Sequence, residues 1–476
     1  MERLKPDFDV LIVGAGLSGI AAAHYVQTRL PHATYAIVEA RGAVGGTWDL
    51  FRYPGVRSDS DMQTLGYSFR PWRGDVALAS GASIIRYIRD TAREEKIEQH
   101  ISFGRSVTAA SWSSGDACWT VSLRSGETVE ALRCRFLFMC TGYYEYEKGY
   151  VPHFDGIERY RGALVHPQAW PQDLDYRAKR VLVIGSGATA ITIVPALARE
   201  ASHVTMMQRS PAYVLSLPGR DTLASRLPYA IVRWRNILRQ QFYYTLMRRR
   251  PKAARAHIKR LNRAELGLGY DVDTHFTPRY EPWDQRFCFV PDGDLFQALR
   301  SGKASIETGE IEAFTETGVR LRTGKTLDAD IVVTATGFNM RLMAGVQVTV
   351  DGNDIDLSKT VVYKGMMLCG VPNAAMALGY TNASWTLKCE LTARYVCRLL
   401  AHMYRRGYAY CVPREPEDSV AREPAVSLTS GYVKRAEPHL PKQGSRAPWR
   451  LYQNYALDLA ALRFGRLRDG VMQFGR

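Results

Sequence analysis

The chain has 476 residues, 46% hydrophobic and 23% charged, and 63 Lys and Arg against 47 Asp and Glu leave a net charge of +16. Such a composition belongs to a globular protein too long for one common core, so two or three domains are expected and a disordered or fibrous chain is excluded. No run approaches the ~20 apolar residues that span a bilayer, and MERLKPD has no leader-peptide pattern, which points to a cytoplasmic protein.

In chain order, FDVLIVGAGLSG reads as a strand, a glycine turn and a helix, with Gly14, Gly16 and Gly19 behind the apolar run. Glu39 closes the next apolar run, YAIVEA. The irregular segment from Gly45 to Asp59, GGTWDLFRYPGVRSD, gathers glycines, aromatics, two arginines and aspartates. A strand in RFLFMC ends at Thr141-Gly142, and a matching strand in DIVVTAT ends at Thr336-Gly337. Between them RVLVIGSGATA repeats the strand–turn–helix pattern, with Gly185, Gly187 and a small Ala190 in third place. Arg209 stands where an acidic residue closed the first pattern. A carboxylate there grips a free ribose diol, whereas a cation accommodates a ribose 2′-phosphate. One nucleotide is therefore expected to be FAD and the other NADPH.

The two strand ends read as crossings between domains. The expected fold is α/β, with two Rossmann-like dinucleotide-binding domains and the NADPH domain inserted in a discontinuous FAD domain. The boundaries are 1–143 and 335–476 for FAD, 150–213 and 284–334 for NADPH, and 214–283 for a basic helical insertion. Within that insertion, Thr222 to Ala264 holds twelve Arg or Lys and no acid. Ile231, Trp234, Leu238, Phe242 and Leu246 recur at helical spacing until Pro251, which predicts an amphipathic helix with a solvated basic face. Weak peripheral contact with an anionic membrane is the sharper alternative, and nucleic acid is not expected because no recognition module accompanies the charge. Beyond Tyr410 the Pro-, Arg- and Glu-rich stretch reads as surface loop, with the segment around 430–455 helping to shape the substrate pocket. The eight cysteines include no C-x-x-C pair and no zinc spacing, so reduced buried thiols and no metal are expected.

At YRGALVHPQAWP the chain resembles the Baeyer–Villiger subgroup of class B flavoprotein monooxygenases. Its long signature is matched at Gly162, His166, Trp170 and Pro171, with Tyr160 where Phe is usual. A second motif is met by Gly45, Gly46, Trp48, Tyr53, Pro54, Gly55 and Asp59. EPWDQRFCFVPDGDLF and YTNASWTLK are most similar to the ethionamide-activating branch.

The resemblance implies roles by position. Gly14, Gly16, Ser18 and Gly19 approach the FAD pyrophosphate, and Glu39 holds its ribose. Thr47, Trp48, Asp49 and Leu50 run along the flavin, and Val107 meets the adenine. Ser186, Gly187, Ala188, Thr189, Ala190, Ile191 and Thr192 receive the NADPH pyrophosphate, with Arg209 and Ser210 at the 2′-phosphate. Arg57, Ser58 and Asp59 lie where nicotinamide meets flavin. Arg286 is the catalytic arginine and Asp59 its orienting partner. Gln285 replaces a lysine that many relatives use for the 2′-phosphate, leaving Arg209 as the main discriminator. His166 sits between the nucleotide domains and reads as a structural or domain-coupling residue.

The implied reaction is insertion of one atom of O2 beside a ketone carbonyl through a C4a-peroxyflavin, giving an ester or lactone, with side activity on sulfides and thioamides. A permanent guanidinium charge suits the anionic oxygen of that intermediate. The alternatives are a flavin monooxygenase confined to N- or S-oxygenation and a non-catalytic, membrane-peripheral redox flavoprotein.

Overall fold

Apolar runs buried on both faces build the centre of two parallel sheets. The computed structural model describes residues 5–476; the first four residues, part of the stretch read for a leader peptide, lie outside the described residues. The first sheet is built on β1 (Phe8–Val13), β2 (Tyr35–Glu39), β3 (Ile101–Phe103), β4 (Ser106–Ser113), β5 (Cys118–Ser125) and β6 (Thr128–Met139). Order β3-β2-β1-β6 is parallel throughout. The 12-residue β6 serves two purposes. Its second half lies between β1 and the strand Ala374–Met376, and its first half turns antiparallel against β5.

The second sheet takes β7 (Ala163–Val165), β8 (Arg180–Ile184), β9 (His203–Gln208), β10 (Ala304–Thr308) and β11 (Ile331–Thr334) in the all-parallel order β10-β9-β8-β11-β7. Its strands occupy one continuous segment, whereas the first sheet draws strands from both sides of it. The fold is thus the mixed α/β arrangement expected, with one Rossmann-like unit set within the chain of the other. The two crossings run side by side, because Tyr144–Gly149 pairs antiparallel with Phe338–Met340.

Helix α1 (Leu17–Arg29) follows β1 and α2 (Ala188–Leu197) follows β8. The basic insertion forms α3 (Tyr229–Arg249) and α4 (Pro251–Leu266), so Pro251 ends one helix and starts the next. The orientation of α3 departs from its sequence pattern. Ile231, Leu238 and Phe242 are 54%, 58% and 63% exposed, and Trp234 and Leu246 are exposed with them. The inward face is Val232, Arg233, Asn236 and Ile237. Arg233 turns inward because Glu390 meets its Nη2 at 2.7 Å, and the carbonyls of Gln63 and Gly66 accept from its Nη1. A buried cation paired with a buried carboxylate and backbone carbonyls outcompetes the apolar row for the interior.

Glu390 lies on α5 (Trp385–Arg406), which packs on α1 and stops at Gly407, a left-handed residue at φ 62°. The region after Tyr410 is less loop-like than its composition suggests. Tyr410–Pro413 pairs with Met472–Gly475, and α6 (Gly431–Ala436) buries Val433 and Ala436. All eight cysteines are free and buried. Among the described residues no helix is long and apolar enough to cross a membrane.

Candidate active site

Both glycine turns open on one cleft of about 1380 Å³, larger than the roughly 300–1,000 Å³ that holds a single drug-sized ligand. Gly14 sits at φ 104°, and a Cβ there would stand 2.7 Å from the Cys140 carbonyl oxygen. Gly185 repeats this at φ 143°, with the Ala335 carbonyl 2.3 Å from an added Cβ. Gly16 and Gly187 cap their helices without a side-chain acceptor, so the first N–H groups of α1 and α2 are left for a ligand anion. Gly19 and Ala190 do not line the cleft. Gly19 makes the close helix–strand crossing, where a Cβ would come within 1.8 Å of the Gly14 carbonyl, and Ala190 is fully buried in the core of the second unit.

The ends of the two patterns differ in chemistry. Glu39 lines the cleft with both oxygens engaged: Ala15 N–H donates to Oε2 at 2.7 Å and Arg41 N–H to Oε1 at 2.8 Å. Burial raises its pKa, and these two donors work against the rise. Arg209 is exposed at the cleft and pairs with no carboxylate among the described residues. The neighbouring turn is closed by the Ser186 hydroxyl, which donates to the Ser210 carbonyl at 2.9 Å. Ala188, Thr189, Ile191 and Thr192 line the cleft as well, and so does Val107.

Thr47 and Trp48 line the cleft, whereas Asp49 and Leu50 do not. The Asp49 carboxylate instead holds Arg41, Arg52 and Arg89 at 2.7, 2.6 and 3.1 Å, so its side chain serves the fold. Ser18 lines the cleft, but its hydroxyl accepts from Trp385 Nε1 at 2.8 Å and donates to Cys389 Sγ at 3.3 Å, tying α1 to α5.

The same cleft holds Asp59 and Arg286, Oδ1 to Nη2 3.5 Å, with the arginine side chain 35% exposed. The strand Cys288–Pro291, paired with Val214–Leu217, fixes the position of Arg286. Asp284, the neighbour that could have captured this guanidinium, is taken by Arg248 at 2.7 Å. The Asp59 carboxylate raises the pKa of Arg286, against the opposing effect of burial. Arg57 is paired with Asp294, and Ser58 is buried with its hydroxyl donating to the Ser60 carbonyl at 2.8 Å.

Three tyrosines missed by the sequence reading, Tyr143, Tyr144 and Tyr432, line the cleft on the Arg286 side. The first two follow directly on the Thr141-Gly142 strand end, a signal that was present in the sequence; nothing local marks Tyr432, which α6 brings in. From Tyr143, Arg286 and Tyr432 a second pocket of about 100 Å³ runs between Met340, Leu342, Leu428 and Leu440. His166 accepts from Gln168 N–H at its Nδ1 (3.2 Å), which leaves Nε2–H to donate to the Gly337 carbonyl at 3.1 Å. Burial lowers its pKa, so it is a neutral tie to the second crossing.

Residues 9–405 match the flavin-binding monooxygenase-like family. The chain is 51% identical to "FAD-containing monooxygenase EthA" of Mycobacterium tuberculosis, over 98% of each protein. A solved structure of oxidised steroid monooxygenase bound to NADP shares the fold with a TM-score of 0.78 at 23% identity, over 98% of this chain and 99% of that one. OTEMO in complex with FAD and NADP does so at 0.72 and 23% identity, covering 86% and 88%.

Proposed function

The chain belongs to the flavin-binding monooxygenase-like family, and on that premise we propose that it is an FAD- and NADPH-dependent monooxygenase that inserts oxygen beside a ketone carbonyl. The cleft suits the two cofactors. Glu39 is fixed by backbone donors for a ribose at the first turn, Arg209 is free for a 2′-phosphate at the second, and both helix N-termini are uncapped. Bound there, FAD reduced by NADPH supplies activated oxygen.

The observation that carries the reading is the Arg286 guanidinium, paired with Asp59 in the cleft that both turns open on, while Asp284 is paired with Arg248 instead. Attack on a carbonyl carbon needs the attacking oxygen as an anion and passes that negative charge to the carbonyl oxygen as the new bond forms. A fixed cation in a partly closed cleft stabilises both. Asp59 keeps the guanidinium oriented while leaving part of its face open. The apolar pocket beside Arg286 offers the organic part of a ketone a dry wall. Sulfides and thioamides, implied by the resemblance to the ethionamide-activating branch, are further substrates, because oxygen transfer to a soft sulfur makes no demand on an anionic attacker.

The test is product analysis with NADPH and O2 over a panel of ketones and thioethers, using wild type, Arg286→Ala and Arg286→Lys. Esters from wild type and a fall on the order of 10²–10³ in Arg286→Ala, with flavin content unchanged, are expected. Sulfoxides without any ester across the panel would overturn the ketone reading in favour of heteroatom oxygenation.

A further inference from the structure

We propose that the outward face of α3 is a docking surface for anionic lipid bilayers, an inference independent of the reaction assigned above. Ile231, Trp234, Leu238, Phe242 and Leu246 form one row along about four turns of this helix, all exposed, while the interior face there includes the polar Arg233 and Asn236. Leu223 and Leu227, just before the helix, extend the exposed apolar surface. Large apolar side chains gathered this way, and not scattered singly, mark a contact surface. Trp234 meets Tyr455 edge to face at 5.6 Å, and the segment that follows Tyr455 exposes Leu457 and Phe464 as well.

Charge decides the occupant. Six of the twelve cations between 222 and 264 are matched by carboxylates from elsewhere in the fold: Arg233, Arg235, Arg248, Arg255, Lys259 and Arg263. The other six, which include the exposed Arg226, Arg239, Arg249 and Arg250, form no ion pair among the described residues. Arg239 lies one position beyond Leu238, beside the apolar row, and Arg249 continues that row at the end of the helix. A second copy of the chain would set these unmatched cations against their own kind. Nucleic acid would satisfy the charge but leave the leucines and Phe242 without an apolar partner. A bilayer rich in anionic headgroups answers both, with the helix lying in the interfacial plane and its apolar row among the acyl chains. The buried side of the same helix contacts Tyr380 and Leu387 through Ile237, and Tyr380 lines the cleft. One helix thickness therefore separates the docking face from the pocket wall.

The experiment is co-sedimentation of the full-length holoprotein with vesicles of phosphatidylglycerol and phosphatidylcholine, and with phosphatidylcholine alone, at low and high salt. Sedimentation velocity without vesicles reports the oligomeric state. Binding to the anionic vesicles, released by salt and weak on the zwitterionic ones, is expected. Arg239→Glu with Arg249→Glu should weaken it by at least about 25-fold, from about fivefold for each positive charge lost. Leu238→Ser with Phe242→Ser should weaken it by at least about tenfold while flavin content stays unchanged. Three outcomes overturn the proposal: no binding at low salt, binding that Leu238→Ser with Phe242→Ser leaves intact, or a dimer that the same two substitutions dissolve.

Discussion

The turn after β1 and the turn after β8 bend alike but meet solvent differently. Ala15, Leu17 and Ser18 are buried and Glu39 is only 5% exposed, whereas Gly187, Ala188 and Arg209 lie open. An enclosed turn with its acidic residue already fixed suits a nucleotide that stays through many turnovers. An open turn closed by a long, free arginine suits one that enters, delivers its electrons and leaves. On the proposed reading the same motif serves a resident cofactor and a visiting one, and the difference lies in what is packed around it.

The most severe way to break this comparison is to add one methyl group to each turn. Gly14→Ala and Gly185→Ala both force a side chain onto a left-handed backbone and against a carbonyl, at 2.7 and 2.3 Å. Gly14→Ala should purify colourless. Gly185→Ala should keep its flavin absorbance but be reduced by NADPH on the order of 100-fold more slowly in stopped-flow measurements. Equal loss of flavin from both variants would mean that the turns are not separable sites.

Changes at the two ribose ends should sharpen the comparison with smaller effects. Glu39→Ala strands the N–H groups of Ala15 and Arg41, a cost of about 1–3 kcal/mol for each buried donor, and should accelerate FAD loss on dilution without altering coenzyme choice. Arg209→Ala should lower the preference for NADPH over NADH by roughly 1.5–3 kcal/mol while flavin stays bound. Steady-state selectivity unchanged in Arg209→Ala would remove the 2′-phosphate role.

The smallest effect concerns the tie between the two units. Burial holds the folded His166 below its ordinary pKa, so as pH falls the unfolded chain takes up this proton before the folded one does. Its contribution therefore makes the protein less stable as pH drops through the ordinary histidine range, by at most about 1.4 kcal/mol per pH unit. His166→Gln should flatten the decline of the melting temperature between neutral and mildly acid pH; an unaltered slope would show that the imidazole titrates freely.

What could be read in the sequence was set by short-range geometry. Gly14 with Gly19, Gly185 with Ala190, and the runs that become β1, β6, β8 and β11 declare themselves because a strand–turn–helix unit fixes its own spacing. What could not be read depends on distant partners. The inward turn of Arg233 rests on Glu390, 157 residues away, and the diversion of Asp284 rests on Arg248. Tyr432 enters the cleft on a helix too short to leave a periodic pattern.

The buried cysteines carry a consequence for how long such a protein keeps working. Whenever activated oxygen escapes before meeting an organic acceptor, hydrogen peroxide is released at the cleft, within reach of the protein's own sulfur. Oxidation proceeds through the thiolate. Burial pushes Cys288, two residues beyond Arg286, and Cys389, beside Ser18, up to about 12, and holds the Cys140 thiol well above its ordinary value. The thiols nearest the source of oxidant are thus kept in the form that reacts slowest, a built-in tolerance of the side reaction that the proposed chemistry invites.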